Sequence, residues 1–240
     1  MMTEVDNLSA RESEPTPIAL RPIAEPMLAP RVAANTSGIV PLNSPAAESI
    51  SVLRNFLFNQ HLNQGRRSLA VCAPTRDSGC TFITVNLALA MAQANVNTLL
   101  IDGNLREPGI DTLLTPDRPI GGLSEFLADA DVCAPYLVAN ARPNLSIVYA
   151  GAQGGHSADL LARNKLKQLI HESVRSFDFT IVDCPPSAEF GDARRIASVL
   201  RYALVVARRD HSFSADVKTL VSELQNDGVK VVGTFLNILD

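Results

Sequence analysis

Three short segments hold the residues able to do chemistry. The first is Ala73-Pro74-Thr75-Arg76-Asp77-Ser78-Gly79-Cys80-Thr81, set between an apolar run (Ser68 to Cys72) and a helical pattern. A phosphate-binding loop has the form G-x-x-x-x-G-K-[ST] between a strand and a helix. Its glycines let backbone N–H groups wrap phosphates, its Lys supplies a point charge, and its hydroxyl serves Mg²⁺. Aligned on Gly79, this chain has Pro74 for the first Gly, Cys80 for the Lys and a matching Thr81. On its own this is a partial match.

The second segment, Leu99-Leu100-Ile101-Asp102-Gly103-Asn104-Leu105-Arg106-Glu107-Pro108, and the third, Phe179-Thr180-Ile181-Val182-Asp183-Cys184-Pro185-Pro186, are each an apolar run that ends in Asp. A lone Asp at a strand end is commonly a helix cap or turn residue. Three such ends, in the order loop, D-x-N-x-R and D-x-P-P, instead suggest carboxylates gathered at one rim of a sheet, where a nucleotide's Mg²⁺ would sit.

The elements that must position these ends are short runs of Val, Ile and Leu alternating with amphipathic stretches. Strands are expected at Ser68–Cys72, Thr98–Asp102, Leu145–Tyr149, Phe179–Asp183, Ala203–Ala207 and Val229–Leu236. Helices are expected at Phe82–Ala94, Leu123–Leu127, Ala158–Ser176 and Ser214–Asn226. Such alternation implies right-handed crossovers, hence an α/β domain with a mainly parallel sheet covered by helices on both faces. In open sheets of this kind ligands bind at the carboxyl ends of the strands. Ahead of the first strand, Ser44-Pro45 reads as an N-cap with Pro at the first helical position, and Ile50, Leu53, Leu57 and Phe58 recur at helical spacing. The domain is therefore expected over 44–240, with 44–62 as its opening helix. Residues 1–43, rich in Pro, Ala, Ser, Glu and Arg without periodicity, are expected to be a disordered tail.

Composition excludes several classes. The chain has 240 residues, 21 Lys+Arg against 25 Asp+Glu, and a net charge of −4, without the basic stripe of a nucleic-acid binder. Its longest apolar run, Leu87 to Ala92, is far short of the ~20 residues that cross a bilayer. No basic segment precedes an apolar one at the N-terminus, so no secretory signal is read. Cys72, Cys80, Cys133 and Cys184 form no C-x-x-C pair, which suits a reducing cytoplasm better than a disulfide framework or a zinc knuckle.

Taken together, the three segments resemble the tyrosine-kinase-like P-loop ATPases of bacterial capsule and exopolysaccharide export, relatives of the septum-site and partition ATPases. The shared pattern is a deviant Walker A, a Walker A′ of the form D-x-D-x-R with a following Pro, and a Walker B of D-x-P-P. Supporting stretches are Gly122–Leu127, Ala150-Gly151, Gly191-Asp192-Ala193 and the closing Val232–Asn237. Glu48 and Arg54 match the outer positions of the family's E-x-x-R-x-x-R self-association helix. The resemblance implies ATP and Mg²⁺ as cofactors, a loop site of Asp77, Ser78, Gly79, Cys80 and Thr81, and Thr81 with Asp183 on the metal. It further implies Asp102 as the Walker A′ base or metal-supporting group, Arg106 near phosphate or a neighbouring subunit, Asn237 on the adenine edge, and Glu48 and Arg54 at a subunit interface. The implied setting is the cytoplasmic side of the inner membrane, reached through a polysaccharide co-polymerase (chain-length) protein. Neither nucleic acid nor a transmembrane segment is implied, and a homo-oligomer is allowed.

The departures from the pattern shape the functional expectation. Cys80 removes the loop cation, and one lost charge-assisted contact costs about 1.5–3 kcal/mol. Asp77 places a carboxylate beside the phosphate site, and Pro74 with Asp77 should stiffen a loop that needs backbone freedom. Asn104 replaces the second Walker A′ carboxylate and Ser51 an arginine of the opening helix. The family's terminal tyrosine run is not matched before Asp240, and Tyr149 and Tyr202 read as packing residues. The reading this favours is a degenerate, pseudokinase-like adaptor that binds ATP weakly or has lost it. One alternative is an active ATPase or tyrosine autokinase using Arg76 as substitute cation. Another is a partition-type positioning ATPase, for which an extra loop Lys and a basic amphipathic C-terminal helix are lacking. A reactive Cys80 thiol at a helix N-terminus is also conceivable.

Overall fold

The computed structural model describes residues 39–41, 43–128, 133–152, 157–188 and 191–238. The expected N-terminal tail lies almost wholly outside the described residues. Just ahead of the first helix, the Val40 N–H donates to Asn86 Oδ1 at 2.8 Å, so the chain is already tied to the domain there.

Helix α1 (Pro45–Gln60) starts as its sequence implies: the Ser44 side chain accepts from the Ala47 N–H, and Pro45 occupies the first turn. Ile50, Leu53 and Leu57 are buried, whereas Phe58, expected on the same face, points outward with 38% exposure. The strands are β1 (Ser68–Cys72), β2 (Thr98–Asp102), β3 (Leu137–Arg142), β4 (Leu145–Val148), β5 (Phe179–Asp183), β6 (Tyr202–Arg208) and β7 (Lys230–Asn237). They form one sheet in the order β3-β4-β2-β5-β1-β6-β7, parallel except for the β3–β4 pair. Side chains alternate between its faces, as strand geometry requires. Ala70, Cys72, Leu99 and Ile101 join one core cluster, and Leu69, Val71 and Leu100 the other.

One face is covered by α1, α2 (Cys80–Gln93) and α3 (Ile110–Leu113). Helix α2 is buried without interruption from Ile83 to Ala92, so no polar face marks it as amphipathic. The other face is covered by α4 (Leu123–Ala128), α5 (Ser157–Ala162), α6 (Asn164–Ser176), α7 (Asp192–Leu200) and α8 (Ser214–Asn226). The mainly parallel α/β architecture is as expected, with four local differences.

The helix expected over 158–176 is two helices, because Arg163 is extended (φ −71°, ψ 149°). Its guanidinium donates to the Leu127 and Ala128 carbonyls, where a cation meets the negative end of α4. Strand β3 is an antiparallel addition, joined to β4 through Pro143-Asn144 with Asn144 at φ 61°. Its apolar alternation is broken by a register shift and by Asn140 at φ 51°, which hid it from periodicity. Helices α3 and α7 were also not expected. Helix α7 buries Ala193, Ile196, Ala197 and Leu200 at helical spacing.

Candidate functional site

The carboxyl ends of β1, β2 and β5 lie side by side, as the order β2-β5-β1 requires. Asp102 and Asp183 are direct register partners, and both are completely buried. Asp102 accepts backbone N–H groups from Asn104 at 3.0 Å and from Gly109 and Ile110 at 3.2 Å, so one carboxylate organises the whole D-x-N-x-R loop. Gly103 between them has no substitute: a Cβ there would lie 2.7 Å from the Asp183 carbonyl oxygen, which already accepts the Gly103 N–H.

Asp183 accepts the Thr81 hydroxyl at 2.5 Å on Oδ2 and the Thr84 hydroxyl at 3.0 Å on Oδ1. Thr84 was missed at the sequence level, although it stands one helical turn beyond Thr81 on the same face. Burial pushes the carboxyls of both Asp102 and Asp183 up from the usual range, and the neighbouring Asp183 charge raises Asp102 further. Two buried carboxyls this close resist carrying two negative charges without a cation between them.

The loop from Ala73 to Gly79 wraps despite its unusual residues. Asp77 stands at φ 55° and Gly79 at φ 78°, so Pro74 and Asp77 do not prevent the wrap; Asp77 adopts the left-handed turn itself. Three side chains hold successive carbonyls of this loop. His211 Nε2 lies 2.8 Å from the Arg76 oxygen, Arg208 donates to the Asp77 oxygen at 3.1 Å, and Asn237 Nδ2 donates to the Ser78 oxygen at 3.1 Å. Because C=O and N–H point oppositely across a trans peptide, the N–H groups that follow face away from these anchors. Arg208 and His211 were not singled out in the sequence. Both lie at the end of β6, a strand end with no motif of its own.

The remaining expected residues fall as follows. Ser78 is buried and donates to the Thr75 carbonyl at 2.7 Å, closing the turn. Asn237 is buried and its amide serves the loop. Arg106 pairs with buried Asp192 at 2.8 Å, linking the loop after β2 to α7. Arg76 is paired with Glu107 at the surface. Glu48 is exposed on α1, and the Arg54 guanidinium donates to Asn55 on the same helix.

Cys80 retains some exposure as a residue, but its thiol turns inward and donates to the Val71 carbonyl at 3.4 Å. Burial and the Asp183 charge push that thiol well above its ordinary pKa, the reverse of the lowering that a helix N-terminus can produce.

The residues present fit part of a Mg-nucleotide site. Thr81 Oγ1 and Asp183 Oδ2 are adjacent hard oxygen donors of the kind Mg²⁺ takes. Helix α2 opens at Gly79 without a side-chain cap, and its N-terminus is where phosphate would lie. Among the described residues no group of three or more His, Cys, Asp or Glu side chains could hold a metal ion, and Mg²⁺ on Thr81 and Asp183 would fill its remaining positions with water or phosphate oxygens. The missing element is the cation at position 80.

This arrangement has the fold of a P-loop-type α/β domain and is similar to the kinase domains of bacterial tyrosine kinases. No family model matches the chain. The chain is 29% identical over 192 residues to the tyrosine-protein kinase Etk of Escherichia coli K12, a match covering 80% of this chain and 26% of Etk. The chain thus spans about a quarter of that relative's length. It is 27% identical over 184 residues to the putative tyrosine-protein kinase CapB of Staphylococcus aureus, covering 76% of this chain and 79% of CapB. The solved kinase domain of E. coli Etk superimposes with a TM-score of 0.80 at 26% identity, covering 87% of this chain and 81% of that one. The septum-site-determining protein MinD of Pyrococcus horikoshii, solved with Mg-ADP, shares the fold with a TM-score of 0.62 at 22% identity, covering 71% and 70% of the two chains. Among the described residues no helix is long and apolar enough to cross a membrane.

Proposed function

We propose that this protein is an adaptor of capsule or exopolysaccharide export, retaining the kinase-type domain while binding ATP weakly or not at all. The carrying observation is Cys80. At the position of the loop lysine stands a short thiol directed at the Val71 carbonyl, beside two buried carboxyls with no cation supplied from the loop. Phosphate groups brought there would meet Asp102, Asp183 and the exposed Asp77 without that point charge, a repulsion Mg²⁺ alone must offset. The likeness to capsule-type tyrosine kinases supports the pathway. The partner in this reading is the cytoplasmic end of an inner-membrane polysaccharide co-polymerase, which would keep the protein at the membrane periphery. Helix α1, with exposed Glu48 and with Arg54, would supply the contact between copies. Isothermal titration with Mg-ATP tests the proposal: no saturation through the micromolar range is expected, and micromolar affinity with turnover would overturn it.

A second reading is an ATPase or autokinase with a rearranged loop, favoured by the intact Thr81–Asp183 contact and the retained loop wrap. In it Mg²⁺ would sit on Thr81 and Asp183, and Asp102 would take a proton from the attacking group. Arg76 would have to leave Glu107 to reach the phosphates. Loss of any turnover in Arg76→Ala, Asp102→Ala and Asp183→Ala separates this reading from the first.

A further inference from the structure

A second concave surface lies at the opposite end of the sheet from the P-loop. The segment leading from Gln64 into β1, the outer face of α6, and the junction of α7 with β6 enclose a groove of ≈ 1040 Å³. Arg66, Arg67, Lys167, His171 and Arg201 line it, and no Asp or Glu is among the described residues that do. Several cations elsewhere meet carboxylates: Arg106 faces Asp192, Arg194 faces Asp227, and Arg175 faces Glu172. In a chain of net charge −4, this hollow is where basic side chains converge without a counter-charge. Their mutual repulsion is relieved by an anion.

Two of these arginines are held in unusual ways. Arg66 lies over the Tyr202 ring at 5.2 Å and donates to the Gln60 carbonyl, fixing one wall. Arg201 caps the end of α7 at φ 69°, ψ −12°, where Gly is the unstrained choice, yet it carries an exposed basic side chain. Strain of this sort is retained where the side chain has a use.

We propose that the groove binds an extended acidic peptide segment of a partner protein. Its carboxylates would lie on Arg67, Lys167 and Arg201, and its apolar side chains would lie against the floor around Val174. Shape and lining favour this occupant. A flat lipid surface does not enter a hollow between a helix and a loop. Single-stranded nucleic acid needs free aromatic platforms, whereas the Tyr202 ring is already engaged by Arg66 and by the His61 ring edge at 4.8 Å. The site is independent of nucleotide, because β1 has its N-terminal end at the groove and its C-terminal end at the P-loop.

Fluorescence anisotropy with the full chain and a labelled peptide of alternating Glu and Leu provides the test, without nucleotide. Saturable, salt-sensitive binding is expected, weakened about tenfold or more by Arg67→Glu and by Lys167→Glu. Arg201→Gly separates binding from folding, since relaxing the left-handed turn should leave the melting temperature unchanged or higher while affinity falls. Equal affinity across these variants, equal binding of a Gln/Leu peptide, or tighter binding of phosphatidylglycerol vesicles or oligothymidylate would overturn the proposal.

Discussion

Asp102 and Asp183 stand directly opposite each other at the ends of neighbouring parallel strands, fully buried, with Thr81 and Thr84 donating to one and three backbone N–H groups to the other. Each carboxyl is satisfied by its own donors. What remains uncompensated is the charge of the pair.

That charge predicts a pH dependence of stability. A carboxyl whose native pKa lies above its unfolded value binds more protons when folded, so stability falls as pH rises from about 4 through the raised native values. Asp183→Asn removes one member, and the remaining Asp102 then ionises more easily. In Mg-free buffer the variant should melt above the wild type at about pH 8, with the two converging near pH 4. A gain of 1 kcal/mol corresponds to about 2–4 °C in a domain of this size. Scanning calorimetry across that range reads the effect, and a wild type at least as stable as the variant at pH 8 would contradict it.

Restoring the loop cation should restore nucleotide binding. Cys80→Lys replaces a thiol with an ammonium able to extend toward the phosphates, a gain of about 1.5–3 kcal/mol, or roughly tenfold to a hundredfold in affinity. The double variant Cys80→Lys/Asp183→Ala should lose the Mg²⁺-dependent part of that gain. Parallel titrations with Mg-ATP and with ATP in chelator measure both.

The thiols should be unreactive in the folded protein. Cys72, Cys133 and Cys184 are buried, burial pushes the Cys133 thiol up to about 12, and the Cys80 thiol is raised by burial and by Asp183. A chromogenic disulfide reagent at mildly alkaline pH should therefore label slowly in buffer and rapidly in denaturant. Fast stoichiometric labelling of Cys80 in the native state would contradict the inward-facing thiol.

The Arg106–Asp192 pair offers an asymmetric double-mutant cycle. Asp192 is nearly fully buried and also accepts from Ser157 at 3.4 Å, while Arg106 is partly exposed. Arg106→Met leaves a buried carboxylate without its partner and should cost about 1.5–3 kcal/mol. The double variant Arg106→Met/Asp192→Leu should recover much of that loss. Additive losses in denaturant unfolding would show that the two residues act separately.

Much of this arrangement was readable before the fold was known, for identifiable reasons. Asp102 and Asp183 end apolar runs that can only be buried strands, and in a parallel sheet such ends share one rim. Thr81 was legible from its place after Gly79, and Ser44-Pro45 from capping chemistry. Residues that act outside any motif were not legible. Arg208, His211 and Thr84 hold the loop or the Asp183 carboxylate through tertiary contacts that leave no local pattern. The break at Arg163 was hidden because a carbonyl cluster on α4, distant in sequence, decides its conformation. Strand β3 was hidden by two residues in left-handed conformations near its middle and its end.

The strand order also bears on how the chain is made. Strand β5 sits between β1 and β2, which do not touch. Strands β1 and β2 therefore both wait for a strand more than 70 residues beyond β2, a pairing of high contact order. During synthesis, Ser68–Cys72 and Thr98–Asp102 leave the ribosome with their shared edges unpaired until Phe179–Asp183 follows. The strand that delivers Asp183 is thus also the one that bridges β1 and β2. Forming the carboxylate pair and joining these two strands into one sheet are a single event in the life of the nascent chain.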